Sequence, residues 1–154
     1  MADTSVRRAT IADAAVVARL LFDFNTEFDT ATPSVGEFTA RFATLLGSSD
    51  VIVLLAGEPD PTGFAYLTLR PTPYFDGPLA QLEELYVVAT LRNRGIGTSL
   101  LTAAIDACRQ RSAGEMHINV DEIDHDTRRF YERHGFMNVM PGTDYRMLFY
   151  TIEL

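Results

Sequence analysis

The stretch Leu82-Glu-Glu-Leu-Tyr-Val-Val-Ala-Thr-Leu-Arg-Asn-Arg-Gly-Ile-Gly-Thr-Ser-Leu-Leu101 decides the fold. It opens as an apolar strand, passes through a basic turn with two glycines and enters an amphipathic helix. Ile96, Leu100, Leu101, Ala104, Ile105 and Cys108 recur at helical spacing, so the helix runs from about Gly95 or Ile96 to Arg111, before Ser112, Ala113 and Gly114. Gly95 and Gly97 let backbone N–H groups approach an anion. The helix dipole favours negative charge there, and Arg92 and Arg94 add formal positive charge. A pyrophosphate fits such a turn. A dinucleotide fingerprint fits poorly, because Leu100 stands where its third glycine belongs and Ala89 to Arg92 lengthen the connection.

Working outward on the N-terminal side, Leu79 to Val88 reads as the strand feeding this turn. A loop with Pro71, Pro73, Asp76, Gly77 and Pro78 precedes it. Val51 to Ala56 and Gly63 to Leu69, joined by a turn rich in Pro, Asp and Gly, read as a hairpin. Before them stand a short strand at Val6 to Ala9, a helix from Thr10 or Ile11 to about Phe24, and a helix from Pro33 or Ser34 to Leu46. Ser34 with Glu37 opens the second helix and Gly47 closes it. On the C-terminal side the pattern predicts a strand at Met116 to Val120, a helix from about Asp126 to His134 stopped by Gly135, and strands near Phe136 to Val139 and Tyr145 to Glu153. Hairpins mixed with strand-helix-strand units imply a mixed α/β fold with helices on both faces of the sheet.

Composition narrows the function. The 154 residues suit one domain, 1–154, able to bury about two thirds of its unfolded surface. No apolar run approaches the roughly 18 residues of a membrane span, and Met1 to Arg8 has no secretory pattern, so no membrane role and a cytoplasmic location are expected. The single cysteine, Cys108, sits in the helical apolar pattern as a core thiol. A formal charge of −8 and a pI near 4.7 argue against nucleic acid and for a cationic small molecule. All thirteen basic residues are arginine, which excludes a Walker A lysine and Schiff-base chemistry. His134 ends a helix, where a cation favours the dipole, and His117 and His125 show no metal-ligand spacing, so no metal is expected.

After the predicted strand at Met116 come Asp124, Thr127 and the run Phe130-Tyr-Glu-Arg-His-Gly-Phe136. The turn resembles the [Gln/Arg]-x-x-Gly-x-[Gly/Ala] acetyl-CoA motif of the GNAT superfamily of N-acetyltransferases, with Arg92, Gly95 and Gly97 in its fixed places. The Phe-Tyr-Glu-x-x-Gly-Phe segment is a second mark of that family, and the close resemblance covers about Gln81 to Val139. It implies a GNAT-like fold: a mixed, mostly antiparallel twisted sheet of about six or seven strands, splayed at the cofactor site, with about four helices. It also implies acetyl-CoA as co-substrate, its pyrophosphate on Arg92, Asn93, Arg94, Gly95, Ile96, Gly97 and Thr98 and its pantetheine arm along Leu85, Tyr86 and Val87. Asp124 and Thr127 stand where the family often has Asn and Ala; they could touch the cofactor, or Asp124 could be a plain helix cap.

Acetylating an amine calls for a neutral nucleophile, a stabilised oxyanion and a protonated leaving thiol. The resemblance makes Tyr131 the proton donor, and a phenol pKa of about 10 suits a departing thiolate. Glu83 and Glu84 are unusual in a covered strand, and alternation sends them to opposite faces. The run Leu-Glu-Glu-Leu-Tyr-Val is similar to that of the polyamine-acetylating branch, where the first acid is the proposed base. Glu83 is therefore the expected base and Glu84 an amine contact, with Glu84 or water as the other choices. Glu27, with Asp23 and Asp29, joins Glu84, Tyr74 and Phe75 in an expected cation-attracting mouth. The expected acceptor is a small primary amine. The other readings are a peptide N-acetyltransferase and a non-catalytic acetyl-CoA-binding module. A homodimer using Tyr145, Leu148, Phe149 and Tyr150 is compatible with the family.

Overall fold

The computed structural model describes residues 2–154, which divide into two compact units, one ending at His117 and one spanning Ile118–Leu154. The first unit carries the sheet. β1 (Val6–Arg8), β2 (Val51–Ala56), β3 (Gly63–Arg70) and β4 (Leu79–Val87) pair antiparallel in sequence order, and β5 (Glu115–Ile118) completes the order beside β4. Three helices flank these strands: α1 (Ala14–Glu27), α2 (Val35–Leu45) and α3 (Ile96–Gln110).

β2 is buried at every position, as expected of a central strand covered on both faces. Its odd members, Val51, Val53 and Leu55, pack with Phe64 and Tyr86 against Ala14, Val17, Ala18 and Leu21 of α1 and Phe42 of α2. The alternate members, Ile52 and Leu54, share the other face with Leu67, Leu82 and the buried stripe Ile96, Leu100, Leu101, Ala104 and Cys108 of α3. Helix starts follow local chemistry. Ser34 Oγ accepts from Glu37 N–H (3.2 Å) while Glu37 Oε2 accepts from Ser34 N–H (2.8 Å), closing a capping box on α2.

β3 and β4 pair in register from Arg70↔Leu79 to Leu67↔Leu82, and then Tyr66 faces Glu84. Glu83 is therefore an extra residue on β4, a β-bulge. At the other edge, Gly114 N–H donates to the Pro78 carbonyl (3.2 Å), which sets the start of β5 beside the start of β4. Four residues of β5 extend only about 13 Å, against about 30 Å for the nine of β4. The Leu85–Val87 end of β4 thus lies beyond what β5 can pair.

The second unit holds α4 (His125–Arg133), capped by Asp124 and stopped at Gly135, whose φ is +94°. The strands expected near Phe136 to Val139 and Tyr145 to Glu153 do not form, so the sheet has five strands where six or seven were expected. These segments meet only at the Val139↔Arg146 bridge and a hydrogen bond from Met147 N–H to the Asn138 carbonyl (2.7 Å). Tyr145, Leu148, Phe149 and Tyr150 are all exposed, and an uncovered two-stranded ribbon gains too little burial to extend. Among the described residues, no helix is long and apolar enough to cross a membrane.

Candidate active site

The turn after β4 is tightly determined. Val88 N–H donates to the Thr62 carbonyl (2.9 Å), a single 3₁₀ turn spans Ala89–Leu91, and Asn93 and Gly95 take left-handed φ values of +60° and +87°. Gly95 stands at the N-cap of α3, and a Cβ there would meet nothing within 4 Å. Space therefore opens above the turn, where the first N–H groups of α3 have no partner within the helix. Arg94, Asn93 and Thr98 line this mouth from exposed positions, while Ile96 anchors it in the core. Open room, a helix N-terminus and a left-handed glycine fit a diphosphate.

Arg92 does something the motif alone does not indicate. Its Nη2 pairs with Glu27 Oε2 at the end of α1 (2.6 Å), and its Nε donates to the Val87 carbonyl (3.0 Å). Its guanidinium carbon lies 5.7 Å from the ring centres of both Phe28 and Tyr86. The Tyr86 hydroxyl donates to Glu27 Oε1 (3.5 Å), and its ring stacks on Phe24 at 4.8 Å. Burial, with the Glu27 charge next in importance, raises the Tyr86 pKa.

The bulge corrects the expected facing of the two carboxylates. Glu84 lies opposite Tyr66, and Glu83 Oε1 accepts from Thr68 Oγ1 at 2.5 Å. Tyr66 and Thr68 are two apart on β3, so both acids point to the face that carries α1 and α2. Glu83 is exposed; Glu84 is half-buried, and burial followed by repulsion from Glu83 pushes its pKa up to about 7. Both charges, after burial, also raise the Tyr66 pKa. Gln81 shares this face, opposite Thr68.

The expected single mouth containing Glu27 and Tyr74 does not form. Glu27 meets Tyr86 and Arg92 at the end of β4, whereas Tyr74, 84% exposed, borders a cavity of about 340 Å³ with Phe75, Arg70, Leu79, Glu115 and His117 at its beginning. The length of β4 separates them by roughly 25 Å. The sequence reading weighed His117 only as a metal ligand and did not pair it with Glu115, which it meets Nε2 to Oε1 at 2.5 Å; their alternation along β5 was the available signal.

In the second unit, Asp124 Oδ1 accepts from Thr127 N–H (3.2 Å), the capping role that was one of its two readings. Tyr131 is buried, with Phe130 and Phe136 set edge-on to its ring at 5.1 and 5.4 Å, and its carbonyl accepts from Phe136 N–H (3.1 Å) past Gly135. Thus the Phe130–Phe136 motif makes one packed aromatic cluster. Among the described residues no group of three or more His, Cys, Asp or Glu side chains could hold a metal ion.

Comparison with known proteins agrees with this fold. The chain is 49% identical to a presumed acetyltransferase of Arthrobacter sp. FB24 known from its crystal structure, covering 97% of this chain and 96% of that one with a TM-score of 0.92. It is 26% identical over 132 residues to the uncharacterised N-acetyltransferase YhfO of Bacillus subtilis (strain 168), spanning 86% of this chain and 89% of that protein. A 67-residue segment, 42% of this chain and 44% of the other, is 36% identical to aminoglycoside N(6')-acetyltransferase type 1 of Klebsiella aerogenes. The profile of the acetyltransferase (GNAT) family matches residues 18–136, and with the fold and the glycine turn this makes the chain an acyltransferase enzyme that belongs to that family.

Proposed function

We propose that this enzyme transfers the acetyl group of acetyl-CoA to a primary amine of a small cationic acceptor, by direct attack with both substrates bound. Acetyl-CoA supplies the acyl group already activated as a thioester. Arg94, Gly95, Ile96, Gly97 and Thr98 would hold its diphosphate, and Leu85 to Val87, paired with β3 on one side and lying beyond β5 on the other, would offer backbone groups to its pantetheine arm. The open space at Gly95 supports this placement.

The observation that carries the amine reading is the bulge at Glu83, which gathers two carboxylates on one face, where burial and then the Glu83 charge raise the Glu84 pKa to about 7. A base poised there is half ionised near neutrality and is efficient in proton transfer. Glu84 takes the proton from the attacking nitrogen, replacing Glu83 as the preferred base. Glu83 lies beside it and attracts the cationic acceptor. As the carbon–sulfur bond breaks, Tyr131 donates its phenolic proton to the thiolate, an assignment resting on the Phe130–Phe136 motif. The net charge of −8 and the segment shared with an aminoglycoside acetyltransferase support a polycationic acceptor.

Thiol release from acetyl-CoA, measured against polyamines, aminoglycosides, amino acids and peptides, tests the proposal. Turnover dependent on a polyamine or aminoglycoside is expected. Turnover with peptides alone would replace the acceptor class, and no amine-dependent release would refute catalysis.

A further inference from the structure

Resting on the acetyl-CoA reading above, we infer that Glu27 is a positioning residue for the coenzyme turn, acting through Arg92, and is not an acceptor ligand. Both of its carboxylate oxygens are engaged inside the protein, Oε2 with Arg92 Nη2 at 2.6 Å and Oε1 with the Tyr86 hydroxyl at 3.5 Å. An acceptor ammonium would have to share these oxygens with Arg92 and Tyr86.

Arg92 in turn braces the turn at its root. Its Nε holds the Val87 carbonyl at 3.0 Å, the last residue of β4, and its backbone N–H closes the 3₁₀ turn onto Ala89 (3.4 Å). The guanidinium carbon also lies within cation–π range of both the Phe28 and Tyr86 rings, 5.7 Å from each centre. The next residue, Asn93, and then Gly95 take left-handed φ values, and their direction sets where the first N–H groups of α3 point. The side chains of Arg92 and Glu27 are 37% and 28% accessible, so the pair is partly shielded from water. The carboxylate thus ties the C-terminal end of α1 to the entry of α3 across 65 residues of sequence. A fixed turn binds a diphosphate without first having to be ordered, so loss of the tie weakens coenzyme affinity more than it changes the chemical step.

The test is calorimetry with CoA and steady-state kinetics on wild type, Glu27→Gln, Arg92→Ala and the double variant. Glu27→Gln keeps the shape and removes the charge. Its Kd for CoA and KM for acetyl-CoA should rise about tenfold, with KM for the amine and kcat within about twofold of wild type. In the Arg92→Ala background the same change should add less than about twofold, because the two residues act as one unit. An unchanged Kd in Glu27→Gln, a rise confined to the KM of the amine, or full additivity with Arg92→Ala would overturn the positioning role while leaving acetyl-CoA binding intact. Wild-type protein that gives no heat with CoA would instead remove the coenzyme reading, and this role with it.

Discussion

Adjacent carboxylates repel, and the response depends on which of them can reach water. Glu83 is exposed and hydrogen-bonded to Thr68, whereas Glu84 is half-buried and carries the raised pKa. Because the Glu83 charge is one cause of that rise, Glu83→Gln should lower the Glu84 pKa and move the acid limb of the rate profile to lower pH, measurable by titrating kcat/KM. An unmoved limb would assign the limb to another group. Tyr131→Phe should lower kcat about tenfold to a thousandfold with coenzyme affinity nearly intact, as initial rates and CoA calorimetry would show. Wild-type turnover in that variant would remove Tyr131 from the chemistry. The sequence made Glu83 and Glu84 conspicuous as acids in an apolar strand. It did not reveal that they share a face, because a bulge is a property of pairing with Tyr66 and leaves no local mark on β4. The tie between Glu27 and Arg92 was equally hidden, since nothing in either residue's neighbourhood points to a partner 65 positions away.

Elements with strong local signals emerged where the pattern placed them. α2 begins at its capping box, and α3 follows the glycine turn with its apolar stripe buried as the spacing required. The segments after Gly135 fared differently. Tyr145 to Tyr150 has the composition of a strand, but composition supplies neither a partner nor a cover, and the backbone makes one bridge there. The turn before α3 is the element on which coenzyme binding depends. Gly95→Ala places a side chain at φ +87°, which should cost about 1 to 2 kcal/mol of stability and also fill the space above the helix terminus. Denaturant melts and calorimetry should therefore both register the change. A variant with wild-type stability and CoA affinity would show that the turn tolerates what its geometry disfavours.

Across the whole molecule, two carboxylates with opposite shifts shape stability against pH. Asp13 is held down to about 2, chiefly by its hydrogen bonds from Arg7, whose two nitrogens donate to it at 2.8 Å. A depressed carboxylate stabilises the fold above its unfolded pKa near 3.8 and loses that contribution as pH falls toward 2. Glu84 works the other way. Raised from 4.5 to about 7, it leaves the fold unpenalised below 4.5 and progressively less stable as pH rises to 7. Asp13→Asn should lower the melting temperature at pH 6 by about 2–4 °C and make no difference near pH 2. Glu84→Gln should raise stability at pH 8 by about 1 to 2 kcal/mol, after discounting for partial exposure, and leave pH 4 unchanged. Thermal melts across this range check both signs, and a Glu84→Gln variant less stable than wild type at pH 8 would contradict the buried-acid description.

The most direct measurement is the pH dependence of amine-stimulated thiol release at saturating acetyl-CoA, wild type beside Glu84→Gln. The predicted result is a wild-type rate that rises through about pH 7 and levels off, with a Glu84→Gln rate lower by about a hundredfold or more that lacks this limb. Identical profiles for the two proteins would contradict the account, because the amine would then be losing its proton without the half-buried carboxylate.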